Sequence, residues 1–459
     1  MKNQNEFLVF CIETLLDISN NELYLVGGLI RDRLLGIVSY DYDFAVSQSA
    51  ISITKKLASI TKGAFVELDN EHDIARVAWN RNKLGFALNF DIAKIAGNSI
   101  KEDSLNRDLT INSFIFKVEK DNINKIIDTN YIFSKDELIY QDDAYEDINN
   151  KLIKVSKKAN LEFDPLRLLR VFRFSSKLNF EIERKTLDFV NELAHLIKKP
   201  SKERILKEFC EIMKSANSYK CLKLMESSNL LQNIFIGLIN SEIDFSKAID
   251  KLEDFENCIK NLEKEFSFYL ELENYLLEEL SQEHDKLALS KVALIFYHIK
   301  PVNIKYEEYT RLVEKFLILL TFSNQEKKFI LKQLENYILF DEILSLDFSR
   351  KSVFRFFKQL TKNETLGSLL LFYVENIKKS DLNIKNKILD LFNLFINDKL
   401  LSDPPKIING NDLKKHFEIA QGKLIGELLS NIEEAQAELK ITSFDDAIEF
   451  TKEYFKNKN

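Results

Sequence analysis

Two aspartates separated by a single residue, Asp41 and Asp43, have the side-chain type and spacing best suited to chemistry in this sequence. They belong to residues 40–46, a short run whose composition predicts a β-strand. Because successive side chains of a strand alternate between faces, both carboxylates point to the same side. Such a pair repels itself unless a cation neutralises it, and a hard divalent ion with oxygen ligands suits it. The pattern predicts a magnesium site, although a solvated acidic strand edge has the same spacing.

A glycine pair upstream can bring a phosphate to the same place. Gly27 and Gly28 follow an apolar run that predicts a buried strand, and residues 29–35 predict a helix. Glycine lets backbone N–H groups approach an anion closely, and the N-terminus of a helix carries partial positive charge. Arg31, in the first turn of that helix, can donate to the same anion. The stretch therefore predicts phosphate and metal at one site.

A second polar cluster lies at residues 106–113, which read NRDLTINS. Arg107 can hold a phosphate through two parallel hydrogen bonds, and Asp108 and Asn112 can exchange hydrogen bonds with sugar hydroxyls. The alternative is an ordinary helix start with Asp108 as its cap.

A third cluster, residues 163–174, reads FDPLRLLRVFRF. Asp164 is predicted to cap a helix whose first residue is Pro165. The arginines that follow recur every three residues along one side of that helix: Arg167, Arg170 and Arg173. Arginine suits both base edges and phosphates because it is planar, always charged and able to donate in pairs. An amphipathic helix with a solvated basic face is the alternative interpretation.

The first motif, GGxxRD followed by DxD, resembles that of the class II tRNA nucleotidyltransferases, which comprise CCA-adding enzymes and their bacterial poly(A) polymerase relatives. The resemblance implies a metal and triphosphate site formed by Gly27, Gly28, Arg31, Asp32, Asp41 and Asp43. It also implies that Asp41 and Asp43 are the catalytic pair and hold two magnesium ions. Asp91, on a predicted neighbouring strand, is the candidate third acidic group.

The second motif resembles a family motif associated with the selection of ribose over deoxyribose. The resemblance implies that Arg107, Asp108 and Asn112 bind the nucleotide. The family usually has a second arginine where Asn106 stands, so one phosphate contact is predicted to be missing.

The third motif resembles the family's EDxxR motif. The resemblance implies that Asp164 and Arg167 select the base of CTP or ATP in place of a template, and that Arg170 and Arg173 bind base or phosphate. Phe163 stands where the family has glutamate, so base selection is predicted to be supported differently, with a restricted specificity.

The resemblance implies an α+β fold in which a polymerase beta-like nucleotidyltransferase sheet domain precedes three helical parts. The predicted parts are a head at residues 1–140, a neck at 141–210, a body at 211–330 and a tRNA-facing tail at 331–459. The implied activity is addition of C and A, either CCA or a CC or A subset, to tRNA 3′ ends from CTP and ATP with release of pyrophosphate. Two alternatives stay open: a poly(A) polymerase of the same family, and a noncatalytic RNA-binding protein that keeps the fold.

Charge is unevenly distributed in this chain of 459 residues. The formal net charge is −7, which argues against a protein coated in basic charge. Residues 151–207 reverse the sign locally, with 15 Lys and Arg against 7 Asp and Glu. A local basic segment is expected where a polyanion docks, and this one is predicted to contact the tRNA acceptor stem.

The cysteines and the N-terminus favour a cytoplasmic protein. The four cysteines show no CxxC pairing and no His set at metal-ligand spacing, so they are predicted to be buried or free thiols of a reducing compartment. No stretch approaches the length of a transmembrane helix, and the first 20 residues lack the pattern of a secretory signal or a transit peptide.

Periodicity predicts helices at residues 1–20 and 49–61 and strands at 64–68, 75–79 and 84–92. A loop is predicted before the neck, at 144–149, a further helix begins at 201–204, and helices continue from about residue 208.

Two segments of the C-terminal half resemble family features. His298, in the run of residues 287–301, stands where many relatives have an HD metal-phosphohydrolase motif, but Ile299 follows it. His284-Asp285 lies outside this run. The segment is therefore predicted to be a scaffold without a second hydrolytic site. Residues 407–450 resemble the tRNA-facing segment of CCA-adding enzymes, with glycines 410, 422 and 426 predicted at turns and helix starts.

Overall fold

The chain folds into two compact units. The computed structural model describes residues 2–79, 88–239, 242–280, 284–377, 382–420 and 422–458. One unit comprises residues 1–201 with 227–234, and the other comprises 202–226 with 235–459. The first unit contains the β-sheet, and the second is built of helices. The predicted division into four parts stays a prediction.

The strands are β1 (Leu23–Val26), β2 (Tyr42–Val46), β3 (Ala64–Asp69), β4 (Ile74–Trp79), β5 (Leu88–Lys94), β6 (Ile115–Lys117), β7 (Leu138–Ile139), β8 (Leu152–Ile153) and β9 (Glu181–Ile182). Short 3₁₀ helices lie at Thr110–Asn112, Lys135–Glu137, Ala194–Lys198 and Ile338–Asp341.

The α-helices of the first unit and its border are α1 (Lys2–Ile18), α2 (Gly28–Leu34), α3 (Ala50–Thr61), α4 (Ile100–Asn106), α5 (Ile123–Ile127), α6 (Ala144–Asn149), α7 (Lys158–Phe163), α8 (Arg167–Leu178) and α9 (Arg184–Leu193). They are followed by α10 (Lys202–Lys214), α11 (Ser218–Ser227), α12 (Leu230–Ile234), α13 (Ser246–Lys260), α14 (Leu262–Glu265), α15 (Tyr269–Leu277), α16 (Lys286–His298), α17 (Tyr306–Leu319) and α18 (Asn324–Tyr337). The last are α19 (Glu342–Ser345), α20 (Arg350–Leu360), α21 (Thr365–Asn376), α22 (Leu382–Asn397), α23 (Lys399–Ser402), α24 (Gly410–Phe417), α25 (Lys423–Ala437) and α26 (Phe444–Lys458).

Seven strands of the described residues form one mixed sheet in the order β3-β4-β5-β2-β1-β6-β7. β1 lies antiparallel between β2 and β6, and β2 pairs in parallel with β5. The two central strands are largely buried and read LYLV and YDFAV. A carboxylate in the middle of such apolar strands marks Asp43 as an exception that packing alone does not explain.

The strand predictions are confirmed for β1, β3 and β4, and the start predicted for β2 is corrected. β5 begins at Leu88, and residues 84–87 of the predicted strand lie outside the described residues. The strand predicted from residue 40 begins only at Tyr42. The reason is that β1 pairs with β2 only from Asp43 onward, since β1 ends at Val26 and Gly27 turns the chain away with a φ of 77°.

The basic helix starts later than predicted. Asp164 has an extended backbone because the residue before proline avoids the helical conformation, and α8 begins at Arg167 rather than at Pro165. The Asp164 carboxylate accepts from the N–H of Leu166 at 3.2 Å instead of capping the helix. The predicted apolar face is confirmed, with Leu168, Leu169, Val171 and Phe172 buried.

Two further local predictions are wrong. The predicted loop at 144–149 is helix α6, which carries Glu146 and Asp147 in its favourable N-terminal turn. Gly426 lies inside α25, although Gly410 begins α24 and Gly422 directly precedes α25 as expected.

The helices predicted at residues 1–20 and 49–61 are confirmed by α1 and α3. The helix predicted to begin at 201–204 is confirmed by α10, and those predicted from about residue 208 by the helices of the second unit. Local capping explains their starts: the Ser49 hydroxyl accepts from the Ser52 N–H at the start of α3, and Asn409 forms a capping box with Asp412 at α24. The last three helices pack around their own apolar cluster, which includes Leu413, Leu428, Ile432, Ile441 and Ala447.

Candidate nucleotide and metal site

The glycine turn lies directly against Asp43. A methyl group built on Gly27 would be 3.4 Å from Asp43 Oδ2, and the positive φ at Gly27 favours glycine in any case. The Gly27 N–H donates to the Phe114 carbonyl at 3.3 Å, which fixes the turn to the sheet. The first two sequence-predicted features, the glycine pair and the aspartate pair, are therefore neighbours.

Asp43 lies among like charges. Burial, followed by the charges of Asp41 and Asp91, raises the pKa of Asp43 to about 7, against the opposing effects of Arg107 and Arg76. Asp41 is exposed, just outside β2, so the two aspartates do not lie on one regular strand as predicted. The charge of Asp41 nevertheless contributes to the raised pKa of Asp43.

Asp91 is beside Asp43 because of the sheet register. The parallel pairing of β2 with β5 places Asp43 opposite Asp91. Asp91 is not left as an excess charge, since Arg76 on β4 donates to both of its oxygens at 2.6 and 2.8 Å. Arg76 was not identified from the sequence. It lies four residues after His72, in a segment that carries no motif.

The donor chemistry of this patch suits a divalent cation. Among the residues that the structure describes, no three His, Cys, Asp or Glu side chains are arranged as a ready metal-binding group. The pKa of Asp43 is raised first by burial and then by the charges of Asp41 and Asp91, and a cation bound here would favour the ionised carboxylates. Carboxylate oxygens are also the ligands that hard divalent ions prefer.

Arg31 connects the first motif to the second. Its side chain is only 4% exposed, and Nε and Nη2 donate to Asp32 Oδ1 at 2.8 and 2.6 Å. Nη1 donates to Asn112 Oδ1 at 2.6 Å. The contact of Arg31 with phosphate stays a prediction. In the structure its guanidinium group binds these protein oxygens and lies 3.4 Å from a methyl group built on Gly28.

Asp108 connects the second motif to the third. Asp108 Oδ1 accepts from Asn112 Nδ2 at 3.0 Å, and Oδ2 accepts from Arg170 at 2.7 and 2.6 Å. Burial alone would raise the pKa of Asp108, but the charges of Arg170 and Arg167 and these hydrogen bonds lower it well below its ordinary value. The carboxylate is therefore ionised and fully engaged in holding the two motifs together.

The base-selecting candidates lie at the same junction. Arg167 Nη1 donates to the carbonyl of Asn106 at 2.8 Å. Burial lowers the pKa of Arg167, while the charges of Asp108 and Asp164 act in the opposite direction. Arg107 binds Asp103 Oδ2 at 2.9 and 2.7 Å. Its charge also reaches Asp43, so the acidic patch and the arginine helix share one region of the first unit.

Phe174 is a member of the site that the sequence analysis missed. The guanidinium carbons of three arginines lie over its ring, at 4.9, 5.2 and 4.5 Å from the centroid for Arg31, Arg170 and Arg173 respectively. The sequence signal was present, because Phe174 is four residues after Arg170 and adjacent to Arg173 on one helix. Arg173 therefore contacts the same ring as Arg31 and Arg170, which belong to the first and third motifs.

Phe163, in the place of the family glutamate, is exposed. Its side chain is 72% exposed, and its ring meets that of His72 edge to face, with centroids 5.7 Å apart and planes at 85°. Its neighbour in the chain is Asp164.

The histidines of the second unit have structural partners. His284 Nδ1 lies 2.6 Å from Glu326 Oε1, and Asp285 caps α16 by accepting from the Ala288 N–H. His298 Nε2 lies 2.5 Å from Glu375 Oε1. The four cysteines are free and buried, as predicted. None of the helices in the described part of the chain combines the length and the apolar character needed to cross a membrane.

Comparison with known proteins gives matches along most of the chain. Residues 23–131 match the family described as the poly A polymerase head domain, and residues 179–240 match the probable RNA and SrmB-binding site of polymerase A. The CC-adding tRNA nucleotidyltransferase of Synechocystis sp. is 27% identical over 439 residues, which is 94% of each chain.

Two further matches differ in coverage. The A-adding tRNA nucleotidyltransferase of Aquifex aeolicus is 26% identical over 78% of this chain and 45% of its own length. The solved Thermotoga maritima CCA-adding enzyme in complex with tRNA has 20% identity and a TM-score of 0.65, covering 98% of this chain and 95% of that one. At this identity the structural match establishes the α+β head and helical remainder. The two family matches and the relative aligned over 94% of each chain support the CCA-adding tRNA nucleotidyltransferase family.

Proposed function

We propose that this protein adds C and A nucleotides, as CCA or as its CC or A subset, to the 3′ ends of tRNA. The substrates are CTP and ATP, no nucleic acid template is used, and pyrophosphate is released. One observation carries the proposal: Asp43 lies against the glycine turn, and a continuous chain of contacts runs from Arg31 through Asn112 and Asp108 to the arginine helix.

In the proposed reaction, the 3′-hydroxyl oxygen of the tRNA attacks the α-phosphorus of the nucleoside triphosphate. The bond to the β-phosphate oxygen breaks, pyrophosphate leaves, and the hydroxyl proton passes to solvent. Asp41 and Asp43 would hold divalent metal, Mg²⁺ in our proposal, whose chemistry is to lower the pKa of the attacking hydroxyl and to neutralise charge on the phosphates. The protein itself contributes placement of the reacting groups.

The nucleotide is proposed to lie between the glycine turn and the arginine helix. Gly27 and Gly28 leave room for the phosphates, where the N-terminal end of α2 favours negative charge. Arg107 and Asn112 are proposed to contact phosphate and ribose, and Asp164 with Arg167 to contact the base edge. The remaining members of the proposed site are Asp32, Asp108, Arg170 and Arg173.

Several of these groups also bind one another. Arg31, Asp108 and Arg170 form protein contacts that keep the site in shape before substrate arrives. A preorganised site of this kind avoids the cost of ordering flexible side chains during the reaction. Their proposed contribution is therefore partly to orient Asn112 and Arg167, rather than only to touch the nucleotide.

The experiment is incorporation on three tRNA transcripts whose 3′ ends lack CCA, carry C, or carry CC. Each is incubated with CTP alone, ATP alone and both, in the presence of Mg²⁺. Limited addition of C and A supports the proposal, and the transcript series separates full CCA addition from a CC or A subset. Long A tracts would instead support a poly(A) polymerase, and no incorporation on any transcript would contradict the proposal and support the noncatalytic RNA-binding alternative.

A further inference from the structure

Phe163 has an unusual environment for a large aromatic side chain. It is the last residue of α7, and 72% of its side chain is exposed. Burying a phenyl ring normally contributes about 1.5–3 kcal/mol, so folding gains little from a ring in this position. A single exposed apolar side chain is common on protein surfaces, and exposure alone therefore assigns no role.

The ring is nevertheless held in a defined orientation. It packs perpendicular to the ring of His72. His72 is itself fixed, because Asp69 Oδ2 lies 2.9 Å from Nδ1 and Asp69 Oδ1 accepts from the His72 N–H at 3.0 Å. A perpendicular partner covers at most one face of a phenyl ring, which leaves the other face of this exposed side chain to solvent.

Phe163 directly precedes the first of the proposed base-reading residues in the chain. Phe163 and Asp164 are consecutive, so their Cα atoms are about 3.8 Å apart. Arg167 is one turn further along and is fixed by the Asn106 carbonyl. A flat ligand that hydrogen-bonds to Asp164 and Arg167 through its edge has a π-face to place, and an aromatic ring is the partner that such a face prefers.

We propose that Phe163 stacks against a nucleobase at the active site and is a positioning residue for it. This inference rests on the proposed function. The nucleobase belongs either to the incoming nucleotide or to the 3′ end of the tRNA, and both present the same flat π-surface. Where the family has a glutamate that can hydrogen-bond, this chain uses an apolar surface, which binds a base without reading its edge. Base identity then remains with Asp164 and Arg167.

The test is steady-state kinetics of Phe163→Ala, Phe163→Leu, Phe163→Tyr and Phe163→Trp, with KM measured separately for nucleotide and for tRNA. Loss of a stacked base typically costs about 1–3 kcal/mol, so Phe163→Ala is expected to raise one KM roughly fivefold to a hundredfold. Phe163→Tyr and Phe163→Trp should keep this KM near the wild-type value, and Phe163→Leu should raise it. A raised KM for CTP and ATP identifies the incoming base, and a raised KM for tRNA identifies the terminal base.

Phe10→Ala is the matched control, because Phe10 is also an exposed ring of the first unit, 45% exposed on α1. It should leave both KM values unchanged. The inference is overturned if Phe163→Ala has wild-type KM values for both substrates, or if Phe163→Leu keeps KM as close to the wild-type value as Phe163→Tyr does. Failure of the proposed function is a separate outcome, since the wild-type protein itself would then incorporate no nucleotide.

Discussion

Two aspartates of the first unit show how the same side chain serves opposite purposes. Burial raises the pKa of Asp43 to about 7 together with the charges of Asp41 and Asp91. Asp108 is surrounded by Arg170, Arg167 and Asn112, and its pKa is lowered. One carboxylate lacks compensating charge and suits an added cation, whereas the other is satisfied by the protein. The difference separates a reacting site from the framework that positions it.

The comparison predicts that Asp43 matters for activity and not for folding. Replacing Asp43 by Asn, or Asp41 by Ala, should reduce nucleotide incorporation by about a thousandfold or more, because the proposed metal loses a ligand. The free energy of unfolding should not fall, since each change removes a repelling charge. Incorporation kinetics and urea unfolding measure the two effects.

Asp142→Asn is the control for that experiment, because Asp142 is an exposed carboxylate of the same unit outside the site. It should leave both measurements at wild-type values. Near-full activity of Asp41→Ala or Asp43→Asn would contradict the assignment of the acidic patch.

Asp108 should show the opposite pattern. Asp108→Asn leaves Arg170 and Arg167 without their carboxylate, so the free energy of unfolding should fall by about 2–4 kcal/mol. Activity should fall as a consequence. The exposed pair of Lys117 with Glu119 provides the control, and Lys117→Gln should lower the free energy of unfolding far less than Asp108→Asn in the same urea titration. Equal costs would mean that the Asp108 network is not structural.

The pH dependence of stability sharpens the distinction. The folded-state pKa of Asp108 lies below the unfolded value of about 3.9, so its contribution is complete at higher pH and is lost as pH falls through the folded pKa. The stability advantage of wild type over Asp108→Asn should therefore be constant from pH 7 to about pH 5 and shrink below about pH 4. Urea unfolding of both proteins across this range measures it, and an advantage that grows on acidification would contradict the sign.

Phe174 tests whether the framework positions the arginines. Phe174→Leu keeps an apolar side chain but removes the ring from three guanidinium groups, and each cation–π contact is worth about 0.5–2 kcal/mol. We expect roughly a tenfold loss in kcat/KM for nucleotide. Phe116→Leu, at a buried ring that packs on Phe133, should lower thermal stability without changing kcat/KM. Matching kinetic losses in both variants would assign the effect to packing.

The residues of the site were more predictable from the sequence than the contacts between them. The glycine pair, Asp43 and the arginine helix each carry a local pattern of spacing, and the resemblance to the family implied that they lie close together. The strand start at Tyr42 did not follow from the sequence, because it depends on where β1 ends and on pairing between distant segments. Arg31 also binds Asn112, 81 residues away in the chain, and Asp108 also binds Arg170, 62 residues away, and no local pattern encodes such distant pairs.

The lysines of residues 151–207 also divide into those that form ion pairs within the protein and those that are exposed. Lys154 and Lys158 form ion pairs with Asp143 and Glu192, whereas Lys177, Lys185, Lys198 and Lys199 are exposed. If this segment binds the acceptor stem, replacing the four exposed lysines by Gln should weaken tRNA binding. It should also reduce the slope of log K against log salt by about 0.7–0.9 for each phosphate that the protein no longer neutralises.

The paired lysines provide the control for charge alone. Replacing Lys154 and Lys158 by Gln lowers the net charge of the segment but removes groups already bound to carboxylates, so the salt slope should change much less. Equilibrium binding of tRNA at several salt concentrations measures the slope for each variant. If the exposed set left both the affinity and the slope unchanged, the basic segment would not be where tRNA binds, because a protein that neutralises fewer phosphates must release fewer counterions.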